Sequence, residues 1–211
     1  MVSVAPQHDE LGTVSRFIEL ASIIVAAGLV IALGFRFLFL TDMLAWWMPI
    51  VIFVGICATD FSSGMIHWFA DTWGSERMPI LGRRLLHPFR VHHVNPDDLL
   101  ERDFIDTNGD VATVVIPVLL IALLVPIETN VQQSFALFVA VIGITGLPTN
   151  QIHQWAHMQN PPFGVKKLQD FGLFLGRRAH LRHHDEPYNV DYCITLGWCN
   201  RVLNATRFSL N

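Results

Sequence analysis

The stretch LAWWMPIVIFVGICATDFSSGMIHWFADTW, residues 44–73, joins an apolar segment to polar residues without an intervening turn. Its apolar part, residues 44–59, is too short to cross a hydrocarbon core of about 30 Å, which needs about 20 helical residues. A helix that begins at Met43 reaches His67 after roughly 36 Å, at about 1.5 Å per residue. The stretch therefore predicts a membrane-spanning helix that carries a histidine out to the membrane surface.

Three further apolar stretches, residues 17–40, 111–127 and 131–147, complete a set of four. The last one continues into TNQIHQWAH, so a helix begun at Val131 reaches His153 after roughly 33 Å. Apolar residues make up 52% of the 211-residue chain and charged residues 15%, which is typical of a membrane protein. We predict an all-α, multi-pass membrane protein with four transmembrane helices over about residues 17–40, 43–72, 110–128 and 131–157.

The basic residues indicate how the chain crosses the membrane. Five of the 14 Lys and Arg residues lie between the second and third spans, and seven follow the fourth. The other turns, near Asp42 and Glu128, hold none, so the positive-inside rule places both termini in the cytoplasm. We expect a single domain, residues 1–211, in a bacterial inner membrane or the endoplasmic reticulum. Its cytosolic, histidine-rich metal-binding cap would comprise residues 73–109 and 158–211.

Smaller features refine this prediction. Arg36 is expected to snorkel to the outer interface, and three prolines predict kinks within the spans. The segment GVKKLQDFGLFLG, residues 164–176, predicts an amphipathic helix that is either interfacial or docked on the cap. The three cysteines form no CxxC pair. The start of the chain lacks a signal-peptide pattern. The net charge of -4 gives no basic field for nucleic acid. The prolines are Pro117, Pro126 and Pro148, and the cysteines are Cys57, Cys193 and Cys199.

Eight of the ten histidines fall in groups that the predicted helices bring to one membrane face. His153 and His157 lie four residues apart and so point the same way from a helix, and HLRHH, residues 180–184, repeats this spacing. One such motif is weak evidence, but several on one face predict a metal site. The expected ligands are His67, His92, His93, His153, His157, His180, His183 and His184.

Several polar residues are candidates to orient imidazole N–H groups behind these ligands, or to bind metal through water. Asp60 lies roughly 25 Å along its helix, still at hydrocarbon depth, where ionisable groups are costly and usually functional or paired. In the alternative interpretation, the carboxyl group of Asp60 forms a hydrogen bond with the hydroxyl of Ser62 or Ser63. The supporting candidates are Asp60, Asp71, Asp106, Asn150 and Asp185.

Eight imidazoles with nearby carboxylates suit two borderline metal ions with open coordination positions, for which iron fits best and copper is the alternative. Structural zinc would take four ligands, often thiolates. Iron with O2 can act on an unactivated C–H bond of a lipid chain, yielding a double bond or an alcohol, so a desaturase and a hydroxylase both fit. A membrane metal transporter or sensor is a remote alternative. Transporters place their ligands near the bilayer midplane, whereas the histidines predicted here lie at one membrane face.

Five segments, DFSSGMIHWFADTWGS, HPFRVHHVNPDD, RDFIDTNGD, TNQIHQWAHM and HLRHHDEPYNVDYCITLGW, occur in order over roughly residues 58–199. Together they resemble the Kua family, the plasmanylethanolamine desaturases with their bacterial CarF-type members. The resemblance implies a lipid desaturase that converts the 1-O-alkyl chain of plasmanylethanolamine to the vinyl ether of plasmenylethanolamine. It also implies a di-iron centre held by the same eight histidines, O2 as co-substrate, and electrons from cytochrome b5 or a ferredoxin-like donor.

The related plant branch, which desaturates an acyl chain of phosphatidylglycerol, fits less well, because ADTWGS and YCITLGW resemble the ether-lipid branch. One position departs from the family pattern. The resemblance predicts Arg-His-Asp-Phe before the NGD motif, whereas this chain has Glu101, Arg102, Asp103 and Phe104. If the histidine that the resemblance predicts at position 102 is an obligate ligand, His87 is the candidate to replace it. Substrate-binding residues and the oligomeric state are not predicted.

Overall fold

The computed structural model describes residues 12–40 and 45–206, and the regular secondary structure of these residues is entirely helical. Four segments are long and apolar enough to cross a membrane, which confirms the predicted four-span architecture. They are Thr13–Phe39, Met48–Thr72, Phe104–Leu124 and Asn130–His157. The predicted start of the second span at Met43 lies outside the described residues.

The helices that form the spans are α1 (Thr13–Leu40), α2 (Met48–Thr72), α5 (Phe104–Leu124), α6 (Asn130–Gly146) and α7 (Thr149–His157). The remaining helices are short and belong to the cap. They are a π-helical turn (Gly82–Leu86), α3 (His87–Val94), α4 (Asp98–Glu101), α8 (Phe163–Asp170), α9 (Arg177–Leu181) and α10 (Asn200–Ala205).

The third span begins earlier than predicted and also ends earlier. Its first turn is capped by Asp103, whose carboxylate accepts hydrogen bonds from the backbone N–H groups of Ile105 and Asp106. The helix ends at Leu124 because Pro126 disfavours helical geometry at the residue before it, Val125. Pro126 therefore follows the end of α5 and does not kink it. The predicted kink at Pro126 is therefore wrong, whereas Pro117 does lie inside the helix.

The fourth span is made of two helices rather than one. The N–H of Leu147 still donates to the carbonyl of Gly143, but Pro148 has no N–H with which to continue the series. The second helix, α7, starts at the next residue and carries His153 and His157. The proline thus separates the membrane helix from a short helix that belongs to the histidine site.

The spans pack with α1 along α5 and with α6 between α2 and α5. Small residues allow close approach of the helices, as is common in membranes. At Gly143 of α6, an added Cβ would lie 2.5 Å from Cδ2 of Leu119 on α5. At Gly55 of α2, it would lie 2.7 Å from Cγ1 of Val141 on α6. Leu119 is fully buried in the core that these helices form.

This packing predicts that Gly143→Val destabilises the protein, because a larger side chain must displace Leu119. Overpacking of this kind costs about 1–3 kcal/mol, and we expect a lower melting temperature in detergent. Gly28→Val is the matched control, since a Cβ added at this exposed glycine of α1 would have no neighbouring atom within 4 Å. Equal melting temperatures for the two variants would contradict the close α5–α6 contact.

Two peripheral predictions change in the structure. The predicted amphipathic helix over residues 164–176 ends at Asp170, and the positive φ of Gly172, 68°, turns the chain so that Leu175 packs against Ile152 and Ile194. Arg36 does more than snorkel, because its guanidinium donates to the carbonyls of Ala122, Leu123 and Val125 at the end of α5. It therefore closes the C-terminal turn of that helix.

Candidate metal centre

The structure brings all eight predicted histidines together in two adjacent groups. They come from α2, α3, α7, α9 and the turn that follows α9. Within each group, one nitrogen or carboxylate oxygen from every residue lies within 4.8 Å of the others. The five-imidazole group is His92, His153, His157, His180 and His184, and the mixed group is His67, Asp71, His93 and His183.

His180 is the centre of the five-imidazole group. Its Nε2 lies 2.6 Å from Nε2 of His157, 2.8 Å from Nε2 of His153 and 3.1 Å from Nε2 of His184. Nitrogens that each lie about 2.1 Å from one metal ion are separated by about 3.0–3.4 Å. The four rings therefore converge with a spacing close to that of ligands around one metal.

His92 provides an independent test of whether a metal fits this group. Its ring centroid is 4.6 Å from those of His153 and His157, and both its ring nitrogens are buried without a hydrogen-bond partner. A buried polar group without a partner costs about 1–3 kcal/mol. A metal ion would satisfy the lone pair of this ring, so the donor set fits a metal centre.

The mixed group is built around a carboxylate. Oδ2 of Asp71 lies 3.0 Å from Nε2 of His93, 3.4 Å from Nε2 of His67 and 3.6 Å from Nε2 of His183. Asp71 was expected behind the ligands, but its oxygen lies among the candidate ligand atoms. Its other oxygen, Oδ1, is buried without a partner. Three imidazoles and one carboxylate thus form the second candidate site.

Backbone carbonyls fix two of these rings in one tautomer. Nδ1 of His67 donates to the carbonyl of Tyr192 at 3.1 Å, and Nδ1 of His183 donates to that of Val190 at 2.7 Å. Because a carbonyl can only accept, the hydrogen is on Nδ1 and the Nε2 lone pair is directed to the shared space. Sequence reasoning missed these partners, since a backbone carbonyl leaves no trace in residue type.

Burial keeps three rings of the cap neutral, those of His92, His180 and His184. It lowers the pKa of His92 and of His180 well below the usual imidazole value, and neighbouring rings lower both further. Burial also lowers the pKa of His184 to about 3. At neutral pH these imidazoles therefore keep their lone pairs, which is the state that binds metal.

Asp60 does not orient a ring, in contrast to the prediction. Its side chain is fully buried, and it accepts hydrogen bonds from three backbone N–H groups of the loop that follows Tyr192. Oδ1 accepts from Leu196 at 2.8 Å and from Gly197 at 2.9 Å, and Oδ2 accepts from Cys199 at 2.8 Å. The alternative with the serine hydroxyls also differs, because Ser63 donates to the backbone carbonyl of Asp60. Asp60 thus anchors this loop to α2.

The other three supporting candidates lie at the edges of the site. Asp106 and Asn150 line a cavity that reaches His92 and His153. The side-chain amide of Asn150 donates to the carbonyl of Thr107 at 3.2 Å rather than to a ring. Asp185 is exposed, and it lies on the surface beside Arg178 and Arg182.

Arg102, at the position where the resemblance predicts a histidine, lies outside both candidate groups. Arg102 forms an ion pair of 2.9 Å with the buried carboxylate of Asp98 and lines the same cavity. His87 also lies outside both groups, and its Nδ1 is 2.8 Å from a carboxylate oxygen of Glu76. The two groups are assembled without either residue.

A glutamine holds α7 against the cap, and sequence reasoning missed it. The buried amide of Gln154 donates to the carbonyls of Leu99 at 2.8 Å and of Arg102 at 3.0 Å. Gln154 follows His153 directly, so these bonds fix the helix that carries two of the rings. Its position inside the motif HQWAH is the only signal that could have indicated a role.

Comparisons with known proteins show which family the chain is similar to. The profile of the lipid desaturase domain matches residues 56–210. A plasmanylethanolamine desaturase of Myxococcus xanthus is 39% identical over 193 residues, which are 92% of this chain and 69% of the relative. Plasmanylethanolamine desaturase 1 of mouse is 40% identical over 79% of this chain and 65% of its own length.

The chain also resembles the chloroplastic fatty acid desaturase 4-like 1 of Arabidopsis thaliana, with 32% identity over 76% of this chain and 54% of the relative. It thus spans about two thirds of the length of the first two relatives and about half of the third. No solved structure is significantly similar to it. With both the profile and these relatives covering most of the sequence, the chain belongs to the lipid desaturase family, and the resemblance to plasmanylethanolamine desaturases is confirmed.

Proposed function

We propose that this protein is a membrane desaturase that converts the 1-O-alkyl chain of plasmanylethanolamine to the vinyl ether of plasmenylethanolamine. The first two relatives described above carry the name of this activity. The observation that carries the proposal is the pair of adjacent imidazole groups, with buried ring nitrogens that lack partners, at one end of the membrane helices.

The reaction removes two hydrogens from neighbouring carbons of the alkyl chain and forms one C=C bond. O2 is the oxidant, and it is reduced to two molecules of water. The lipid supplies two of the four electrons and two of the four protons required. The other two electrons come from an external one-electron carrier, cytochrome b5 or a ferredoxin-like protein, and the remaining two protons come from solvent.

The proposed cofactor is a pair of iron ions. The five-imidazole group would hold one, and the mixed group of three imidazoles and Asp71 would hold the other. Iron bound there supplies the oxidising chemistry that an unactivated C–H bond requires, which zinc, having no redox chemistry, does not. The protein's own contribution is to orient His67 and His183 through backbone carbonyls and to keep His92, His180 and His184 neutral.

The proposed orientation places both termini and the cap in the cytoplasm, following the distribution of Lys and Arg. The candidate metal site then faces the compartment in which the electron carriers operate. The substrate reaches the site from the bilayer, as is expected for a protein with four apolar spans.

The function is tested by lipid analysis of cells that make alkyl ether lipids, with and without the gene. We expect vinyl ether lipids only in the cells with the gene, and accumulation of the saturated alkyl form in the others. A product that carries a new hydroxyl group would instead show a hydroxylase. Vinyl ether content independent of the gene would contradict the proposed activity.

The metal content provides a second test. Protein purified without chelator is expected to contain two irons per chain by elemental analysis, because two complete donor groups are present. Treatment with a strong chelator should remove both irons and abolish activity, and Fe²⁺ should restore it. One metal per chain, or zinc in both groups, would contradict the di-iron assignment.

A further inference from the structure

A cavity beside the metal centre combines charges of both signs. It lies between the π-helical turn, α3, α4, the start of α5 and the start of α7. Phe89 and Leu99 contribute its apolar wall, and His92 and His153 of the five-imidazole group form part of its lining. Its charged lining residues are Arg83, Arg84, Arg102, Asp106 and Asp110.

Two of these arginines, Arg84 and Arg102, are held in place by protein groups and retain donors for a ligand. Arg84 donates to Asp110 and, at 3.1 Å, to the hydroxyl of Ser15 on α1. Arg102 uses Nε and one terminal nitrogen on a single oxygen of Asp98. A guanidinium has five N–H donors in a fixed plane, so each side chain is positioned by the protein and can still bind a phosphate oxygen.

Arginine and aspartate together match a zwitterion. A phosphate diester takes charge-assisted hydrogen bonds from arginine, while a primary ammonium donates to carboxylates. An ethanolamine phospholipid carries both groups, two carbons apart. A purely anionic headgroup would contact only the arginines, whereas an ammonium group can share Asp110 with Arg84 and also contact Asp106.

The distance to the rings also suits a reaction close to the headgroup. In a glycerophospholipid, about six bonds separate the phosphorus from the first carbon of the sn-1 chain, which is about 7 Å at full extension. Because His92 and His153 line the cavity itself, a phosphate held there keeps the first carbons of that chain close to the five-imidazole group. A bond in the middle of the chain would lie much farther away.

We propose that this cavity binds the phosphoethanolamine headgroup of the substrate, with Arg83, Arg84 and Arg102 at the phosphate and Asp106 and Asp110 at the ammonium. The inference rests on the proposed function for the identity of the lipid. It gives Arg102, the residue that departs from the family pattern, a role in headgroup recognition. It also explains how a desaturase reaches the bond next to the ether oxygen.

Native mass spectrometry of the iron-loaded protein in detergent tests this site through binding alone. The probes are diacyl phosphatidylethanolamine and diacyl phosphatidylglycerol, which have no ether chain to react. Arg84→Gln should weaken retention of both lipids about tenfold, since it removes phosphate donors, and Arg83→Gln should weaken both in the same direction. Asp106→Asn should weaken retention of phosphatidylethanolamine alone. Arg201→Gln, at an exposed position of α10 outside the cavity, is the matched control and should leave both unchanged.

Melting temperature and iron content identify any variant that fails to fold, and Arg83 is exposed, so its variant is expected to fold normally. Glycerophosphoethanolamine should displace the bound lipid, and inorganic phosphate should not. Equal lipid retention in the Arg83, Arg84 and Arg201 variants would overturn the proposal. Displacement of the bound lipid by inorganic phosphate, without any need for glycerophosphoethanolamine, would overturn it as well. If binding behaves as expected but cells make no vinyl ether, only the proposed activity fails. If vinyl ethers form while the variants bind normally, only the headgroup site fails.

Discussion

His180→Ala is expected to abolish vinyl ether formation, with a loss of at least about a hundredfold. This ring lies within 3.1 Å of three other imidazole nitrogens, so its removal opens the five-imidazole group at its centre. Loss of residues that merely orient metal ligands already costs about 10–100-fold in metal affinity or activity. The measurements are vinyl ether content in cells and iron content of the purified variant, which should fall from two ions to one.

His87→Ala is the matched control for this experiment, because His87 bonds Glu76 outside both groups. We expect it to keep two irons and nearly full activity. Loss of activity in the His87 variant would show that this ring replaces the histidine expected at position 102. An active His180 variant with two irons would instead contradict the assignment of the five-imidazole group as a metal site.

Asp60→Ala is expected to destabilise the protein by about 3 kcal/mol or more. The substitution leaves the part-buried N–H groups of Leu196, Gly197 and Cys199 without their acceptor, and each such loss costs at least about 1 kcal/mol. The loop that these groups belong to also carries Tyr192, whose carbonyl orients His67. We therefore expect a lower melting temperature together with weaker retention of iron.

Ser62→Ala provides the comparison for Asp60, since Ser62 is an exposed neighbour on the same helix. Its melting temperature and iron content should equal those of the unmodified protein. If Asp60→Ala melts normally but loses iron, the carboxylate acts on the metal centre as first predicted from the sequence. If it changes neither property, the loop is held by other contacts.

The spans were predictable because each contains an apolar stretch that hydropathy reports directly, although the second and fourth stretches reach spanning length only by continuing into polar residues. Their ends were less predictable, since they depend on single residues. Asp103 extends α5 toward its N-terminus by capping it, and the proline at 126 ends the helix instead of bending it. Both are local effects that a search for apolar length does not register.

The histidines were predictable as a set because each motif places its rings on one side of a short segment. The roles of Asp60 and Asp71 were not, since both lie on the same stripe of α2 with His67. Their roles differ because of the loop around residues 190–199. This loop folds back onto α2, where it contacts Asp60 and passes beside the rings that surround Asp71. That contact joins residues more than a hundred positions apart, and residue spacing holds no information about it.

The loop pinned by Asp60 also has a consequence for biogenesis. The chain is synthesised from its N-terminus, so the four spans are complete while the segment around residues 180–199 is still inside the ribosome. Until that segment emerges, His67 lacks the carbonyl that orients it, and both clusters lack rings. Both candidate metal sites are therefore completed late, and a protein stalled or cut before this segment would lie in the bilayer with neither donor group complete.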